Sequence, residues 1–473
     1  MAATVTLPVW LVVLGTLLAV WVVLDRMLIP SVRWALRRRA NKAIEELNTR
    51  LQLQIQPFKL TKRQVLIDRV LFDPQVLAAV DAHAKETDEP REVAMHLAQK
   101  YVQEIVPSFS AYTYFAIGTR LARRISKLLY RVRIGYTNEE ALRSVDPDSS
   151  VVFVINHRSN MDYVLVTYIA ATSSALSYAV GEWAQVWLLR SLIRSMGAYF
   201  IRRHSRDGLY RKILARYVHM ATQAGVVQAV FPEGGLSRDG RLRPPKLGLL
   251  SYMVSDFDPT AEKDIVFIPV GVNYDRVLED RILTAQENKD PSTQARFRFS
   301  PGVLLKFIGH SLLLAVRGQW YRYGYTCVSF GAPISLKNHL AAQEVDIRLV
   351  SQERRTEEID LLGERLIKAV GRVVPALPVS LVAHALLAAD GQALSAFELK
   401  GRVHDLVEIL EAAGAYIHIP RADQDYALDV GLRMLTLRNL VVVDDGHYSI
   451  HPDEEVLLRY YANAIAHLFD DDA

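Results

Sequence analysis

An unbroken run of β-branched and aromatic residues, Val151-Val152-Phe153-Val154-Ile155, leads through Asn156 into His157-Arg158-Ser159-Asn160-Met161-Asp162. Such a run reads as a buried strand. The C-terminal edge of a strand is where α/β sheets place their chemistry. A histidine there can take a proton from an alcohol near neutral pH, provided a second group fixes its tautomer and steadies the imidazolium. Asp162 can be that group if Ser159 or Asn160 caps a helix starting at the turn, which folds the carboxylate back towards the imidazole. Taken alone, His-x4-Asp is a two-residue signal that a solvated loop also produces.

Three further segments have the look of site walls. Gly197-Ala198-Tyr199-Phe200-Ile201 runs into Arg202-Arg203. Val226-Val227-Gln228-Ala229-Val230-Phe231 runs into Pro232-Glu233-Gly234-Gly235-Leu236-Ser237-Arg238. The third is Ile265-Val266-Phe267-Ile268-Pro269-Val270-Gly271-Val272-Asn273-Tyr274-Asp275. Each is a strand-like run that discharges into a polar or glycine-rich turn, and the runs alternate with helical patterns such as 210–223. That alternation predicts an α/β domain with a sheet flanked by helices.

The four segments, in this order, resemble the four motif blocks of the glycerolipid acyltransferases, and most of all the bacterial membrane glycerol-3-phosphate acyltransferases. The likeness runs from the long region before His157 to Tyr460-Tyr461-Ala462-Asn463-Ala464-Ile465-Ala466-His467. It implies an acyltransferase domain with a mixed sheet. By this resemblance His157 is the general base for the sn-1 hydroxyl of glycerol 3-phosphate, and Asp162 orients it. The substrate's own alcohol replaces the serine of a Ser-His-Asp triad. The oxygen then attacks the thioester of acyl-CoA or an acyl carrier protein and expels a thiol, giving lysophosphatidate. No acyl-enzyme, cofactor or metal is required. The lone cysteine, Cys327, sits in the apolar run Thr326-Cys327-Val328 and reads as a core thiol.

The substrate phosphate needs fixed positive charge, and the arginine fork suits it. Arg202, Arg203, Arg238 and Lys246 are the candidates. The resemblance makes Glu233 the acidic residue of block three, which helps to hold the glycerol moiety, and counts Ser159 of block one among the substrate-binding residues. Gly234 and Gly235 let backbone approach a ligand, and Pro269 shapes the acyl-chain side. Two departures bear on the acceptor. Leu236 stands where the family carries an arginine, so a phosphate donor is lost or comes from Arg203, Arg241 or Arg243. Block four ends Tyr274-Asp275 instead of Tyr-Glu. These changes leave lysophosphatidate and dihydroxyacetone phosphate open as acceptors. From another class, a membrane-anchored lipid-sensing regulator is the alternative, although such a chain is expected to lose His157, Asp162 or Glu233. Base catalysis also requires the imidazole to face a cavity that a substrate can enter.

Residues 7–24 are uncharged and mostly apolar, near the roughly 20 needed to span a bilayer. Arg26, Arg33, Arg37, Arg38, Arg39 and Lys42 follow, which predicts a single span with the rest of the chain in the bacterial cytoplasm, against the inner membrane. Residues 109–133 interleave aromatic and aliphatic side chains with Arg120, Arg123, Arg124, Lys127, Arg131 and Arg133, as a basic amphipathic helix on an anionic bilayer would. Lysines and arginines number 56 against 52 acids, so nothing marks the whole chain as a nucleic-acid binder. A single cysteine fits a reducing compartment.

The expected organisation is a transmembrane anchor over 1–30, a helical membrane-proximal region over 31–147, the α/β acyltransferase domain over 148–340, a helical linker over 341–378 and a winged-helix-like domain over 379–473. The last rests on helices followed by a hairpin turning at Asp445-Gly446. With few clustered cations there, it reads as a packing or assembly module. Self-association is left open.

Overall fold

The computed structural model describes residues 55–170, 175–181, 187–202, 205, 207–285 and 323–469, with 9, 15 and 16. Apart from those three positions, the expected span over 7–24 lies outside the described residues, as does Arg203. Among the described residues no helix is long and apolar enough to cross a membrane.

Eight strands form one mixed sheet. They are β1 (Arg131–Thr137), β2 (Ser150–Ile155), β3 (Ser177–Val180), β4 (Tyr199–Phe200), β5 (Gln228–Val230), β6 (Ile265–Tyr274), β7 (Tyr325–Phe330) and β8 (Ile334–Ser335). Their order is β1-β7-β6-β2-β5-β3-β4, with β8 paired to β6. The β6 pairings with β7 and β8 are antiparallel and the rest are parallel. Every residue of β2 and β6 is buried, as the unbroken apolar runs require of strands covered on both faces.

The sheet begins earlier than the sequence suggested. The amphipathic stretch over 109–133 is a π-helical turn, Thr113–Gly118, followed by an α-helix, Thr119–Leu129, and strand β1 starts at Arg131. Arg131-Val132-Arg133-Ile134 alternates with period two, and that strand signal lay hidden under the count of basic residues.

Numbered along the chain, the helices used below are α1 (Arg63–Leu71), α2 (Pro74–Thr87), α3 (Arg91–Ile105), α4 (Thr119–Leu129), α5 (Met161–Ala170), α6 (Gly208–Gln223), α7 (Gly248–Val254) and α8 (Gln352–Gly371). On one face of the sheet, Val152 and Val154 of β2 and Ile265 and Phe267 of β6 share a core with Ile213 of α6, Met253 of α7 and Leu366 of α8. Helices α1, α2 and α3 extend that core through Ile67, Val76 and Val102. On the other face Phe153 meets Phe330 edge-on, with centroids 6.3 Å apart, and α4 packs on α5.

The C-terminal part runs α9 (Pro378–Leu387), β9 (Leu394–Ser395), α10 (Ala396–Ala412), α11 (Gln424–Thr436), β10 (Val441–Asp444), β11 (His447–Ile450) and α12 (Glu455–Ala462). Strands β10 and β11 form a hairpin whose free edge takes β9. Its two-residue turn is Asp445-Gly446, both at positive φ, as such a turn demands. Ser395 and Glu398 form a reciprocal capping box at the start of α10.

Candidate active site

Asn156, the first residue beyond β2, ties the strand end to β6. Its Nδ2 donates to the Val272 carbonyl at 2.9 Å and its Oδ1 accepts from the Val272 N–H at 2.8 Å. His157 follows, and block three holds its backbone. The His157 N–H donates to Glu233 Oε1 at 2.7 Å, and its carbonyl accepts from the Ser237 N–H at 3.0 Å.

The expected dyad is formed. His157 Nδ1 lies 2.9 Å from Asp162 Oδ2, with both side chains buried. Asp162 sits in the first turn of α5, and Ser159 shapes that turn: its Oγ accepts from the Met161 N–H at 3.1 Å and its carbonyl from the Asp162 N–H at 3.0 Å. The carboxylate therefore folds back over the loop, where the same Oδ2 accepts from the N–H groups of Arg158 at 2.8 Å and Ser159 at 3.0 Å. Tyr274, the last residue of β6, donates its hydroxyl to Asp162 Oδ1 at 2.5 Å. Burial, then the charge of Asp162, holds that phenol well above its usual pKa, so it remains a donor. With Nδ1 committed to Asp162, Nε2 is the nitrogen left for a substrate hydroxyl.

Two buried carboxyls brace this loop. Glu233 Oε2 accepts from the Arg243 N–H at 3.2 Å. Burial raises the Glu233 pKa to about 7, against the pull of its two backbone donors and of Arg158. Glu279 accepts from Ser159 Oγ at 2.7 Å and from Asn160 Nδ2 at 3.0 Å, and burial raises its pKa too. Arg158 donates to the Gly240 carbonyl and lies over the Tyr460 ring, 5.0 Å from its centroid. Gly240 has φ +89°, and a Cβ there would fall 1.9 Å from the Tyr460 carbonyl oxygen. Only glycine fits that approach. Asn463 adds a bond from Nδ2 to the Asp239 carbonyl at 2.8 Å. The end of α12 thus clamps blocks one and three together.

One expectation is corrected. The His157 ring does not face an open cavity, because the residue is 1% exposed. The Phe231 ring lies 4.3 Å away centroid to centroid, the Tyr163 ring 5.4 Å away edge-on, and those two rings contact each other. A cavity of about 750 Å³ opens elsewhere, and Pro269 lines it without His157. The enclosed dyad sits in a low-dielectric setting that strengthens its internal interactions.

The structure thus gathers His157, Asp162, Glu233 and Ser159 into one network. The Ser159 hydroxyl is taken up by Glu279 and the Met161 N–H, so it serves the loop. Gly234 has φ +68°, and a Cβ on it would meet Lys246 Cδ at 2.5 Å. Gly235 and Arg238 are half-buried in the same loop, and the exposed Lys246 closes it with an N–H bond to the Pro232 carbonyl at 2.7 Å. Arg202 is turned to α3, where Nε and Nη2 meet the Glu104 carboxylate at 2.9 and 2.5 Å. Cys327 is buried in β7, and burial pushes its thiol up to about 12, as suits a core position.

Residues 133–273 match the family model described as Acyltransferase, and residues 310–473 match the one described as Glycerol-3-phosphate acyltransferase C-terminal region. The resemblance read from the sequence is borne out. Relatives named glycerol-3-phosphate acyltransferase include one from Pseudoalteromonas atlantica, 27% identical over 87% of this chain and 50% of its own length. One from Aeromonas hydrophila is 27% identical over 89% of this chain and 52% of its own. One from Ectopseudomonas mendocina is 30% identical over 87% of this chain and 49% of its own. The chain spans about half the length of the curated relatives it matches. A crystal structure of the 1-acyl-sn-glycerophosphate acyltransferase PlsC from Thermotoga maritima is 17% identical, with a TM-score of 0.31 over 54% of this chain and 78% of that one, too low to bear on the fold.

The sequence did not single out Asn156, Tyr274 or Glu279 for the roles they take. Tyr274 stood at the end of block four without a function, and its alternation with Val272 along β6 was the available sign. Glu279 left none, since its partners lie 119 and 120 positions away in the chain.

Proposed function

We propose that this chain transfers a fatty acyl group from an acyl thioester to the sn-1 hydroxyl of glycerol 3-phosphate. His157 Nε2 takes the hydroxyl proton while Asp162 holds the proton on Nδ1 and stabilises the imidazolium. The substrate oxygen forms a bond to the thioester carbonyl, and the tetrahedral adduct collapses by breaking the C–S bond. The departing thiolate receives the proton from the imidazolium. An ester and a thiol result, with no covalent enzyme intermediate. The observation that carries this is the His157 Nδ1–Asp162 Oδ2 contact at 2.9 Å at the end of a parallel strand.

Glu233 is read as shaping the glycerol side through the loop it holds, and Arg238 as a phosphate donor. For the missing arginine at Leu236, Arg243 is the substitute we favour, because its N–H is already fixed on Glu233. Arg202 takes part only by leaving Glu104. Acyl-CoA and an acyl carrier protein both satisfy the chemistry as donors.

We place the reaction at the cytoplasmic face of a bacterial inner membrane. On and before α4, Ile117, Leu121 and Leu128 are exposed and recur at helical spacing beside Arg120, Arg123, Arg124 and Lys127. An apolar strip flanked by cations suits an anionic bilayer surface. The α9–α12 region, with helix, short strand, two helices and hairpin in that order, is read as a winged-helix-like packing module through which α12 clamps the site.

Offering purified protein glycerol 3-phosphate, dihydroxyacetone phosphate and lysophosphatidate in separate reactions tests the acceptor. The highest kcat/KM is expected for glycerol 3-phosphate, and a preference for either of the others would replace it.

A further inference from the structure

The cavity of about 750 Å³ lies where the middle of β6, the β7–β8 turn, the end of α8 and the loop after α10 come together. It is separate from the dyad. Pro269 pairs with Val154 of β2, three residues before His157, which at about 3.3 Å per residue puts it roughly 10 Å down the sheet from the base. His157, Asp162 and Glu233 are not among its lining residues.

Arg365, Lys368 and Arg372 line one wall. Steps of three and four residues set them on one face at the end of α8, where like charges are mutually unfavourable. No acidic residue is among the described residues that line the cleft. Arg365 Nη1 lies 3.0 Å from His339 Nδ1, and burial followed by Arg365 itself lowers the pKa of that ring, which favours its uncharged form. The other walls are apolar or aromatic, with Pro269, Ile334 and Tyr416 among them. The volume falls in the roughly 300–1,000 Å³ range of small-molecule sites. Cations on one side and apolar surface on the other match a ligand that is anionic at one end and hydrocarbon at the other. A phosphate monoester offers the guanidinium forks two or three oxygens and up to two charges, where a carboxylate offers two oxygens and one charge.

We propose that this cleft is a second, non-catalytic binding site for a single-chain amphiphile with a phosphate head. The head rests on Arg365 and Arg372, and the chain lies along Pro269 and Ile334. The test is calorimetric titration of the full chain with lysophosphatidate below its micellar concentration, with glycerol 3-phosphate saturating so that the catalytic site is occupied. Inorganic phosphate and a long-chain fatty acid serve as separate probes. Wild type is expected to bind lysophosphatidate at least tenfold more tightly than either. R365A/R372A is expected to lose at least tenfold in that affinity while keeping wild-type melting temperature and basal acyl transfer. Ala415→Trp, which fills the cleft from the opposite wall, is expected to lose binding as well. Unchanged affinity in R365A/R372A, absence of binding by wild type, or phosphate alone binding as well as lysophosphatidate would each overturn the proposal. A failure of acyl transfer in wild type would leave these binding results readable.

Discussion

Tyr274 Oη donates to Asp162 Oδ1 at 2.5 Å, on the carboxylate oxygen opposite the one that meets His157. The last side chain of β6 therefore fixes the acid that fixes the base. Removing only the hydroxyl, as in Tyr274→Phe, leaves the ring packing and takes away one donor. A buried hydrogen bond to a charged group is worth about 1.5–3 kcal/mol, so kcat for acyl transfer is expected to fall about 10- to 100-fold. The acceptor KM should stay within about twofold. A raised acceptor KM with unchanged kcat would assign Tyr274 to binding instead.

Arg238 stands half-buried in the loop that carries Glu233 and Gly234. If it holds the acceptor's phosphate, Arg238→Ala should raise the apparent KM for glycerol 3-phosphate by about 10- to 100-fold, the worth of a charge-assisted bond. The thioester KM should move little. Steady-state kinetics with each substrate varied in turn distinguishes these, and equal effects on both substrates would argue against the phosphate role.

Asp275 is buried, accepts from the Tyr325 N–H at 2.7 Å and the Val379 N–H at 3.2 Å, and thereby joins β6 to β7 and α9. Burial raises its pKa from 3.8 to about 7 despite those donors. Between those two values the folded state holds a proton that the unfolded chain has given up, so stability falls as pH rises through the window. Glu233, raised to about 7 for the same reason, acts in the same direction. Unfolding by denaturant should show stability declining between about pH 4 and pH 7, with Asp275 contributing on the order of 4 kcal/mol. Asp275→Asn should flatten part of that slope whatever its cost at a single pH. An identical slope in the variant would show that the group does not titrate there.

The central strands and the His157–Asp162 pairing were legible because local pattern governs both. An unbroken apolar run such as 151–155 has few ways to be buried, and a cap at Ser159 returns Asp162 to the ring within five residues. Strand β1 was not legible, because Arg131 and Arg133 mask the alternation of Val132 and Ile134 with the pattern of a basic amphipathic helix. Glu279 on Ser159, Tyr460 over Arg158 and the cleft lined by α8 join segments far apart in the chain, and no spacing rule reports such contacts. Burial of the imidazole was equally out of reach, since it depends on how the rings of Phe231 and Tyr163 settle against it.

Transfer of a labelled acyl group from acyl-CoA to glycerol 3-phosphate, compared between wild type and His157→Ala, bears most directly on the chemistry assigned to the dyad. Positioned base catalysis contributes about 10²- to 10⁴-fold, so wild type should form lysophosphatidate and the variant should lose at least 100-fold in kcat while keeping its fold. A His157→Ala protein that transfers acyl groups at the wild-type rate would contradict the assignment of that imidazole as the base.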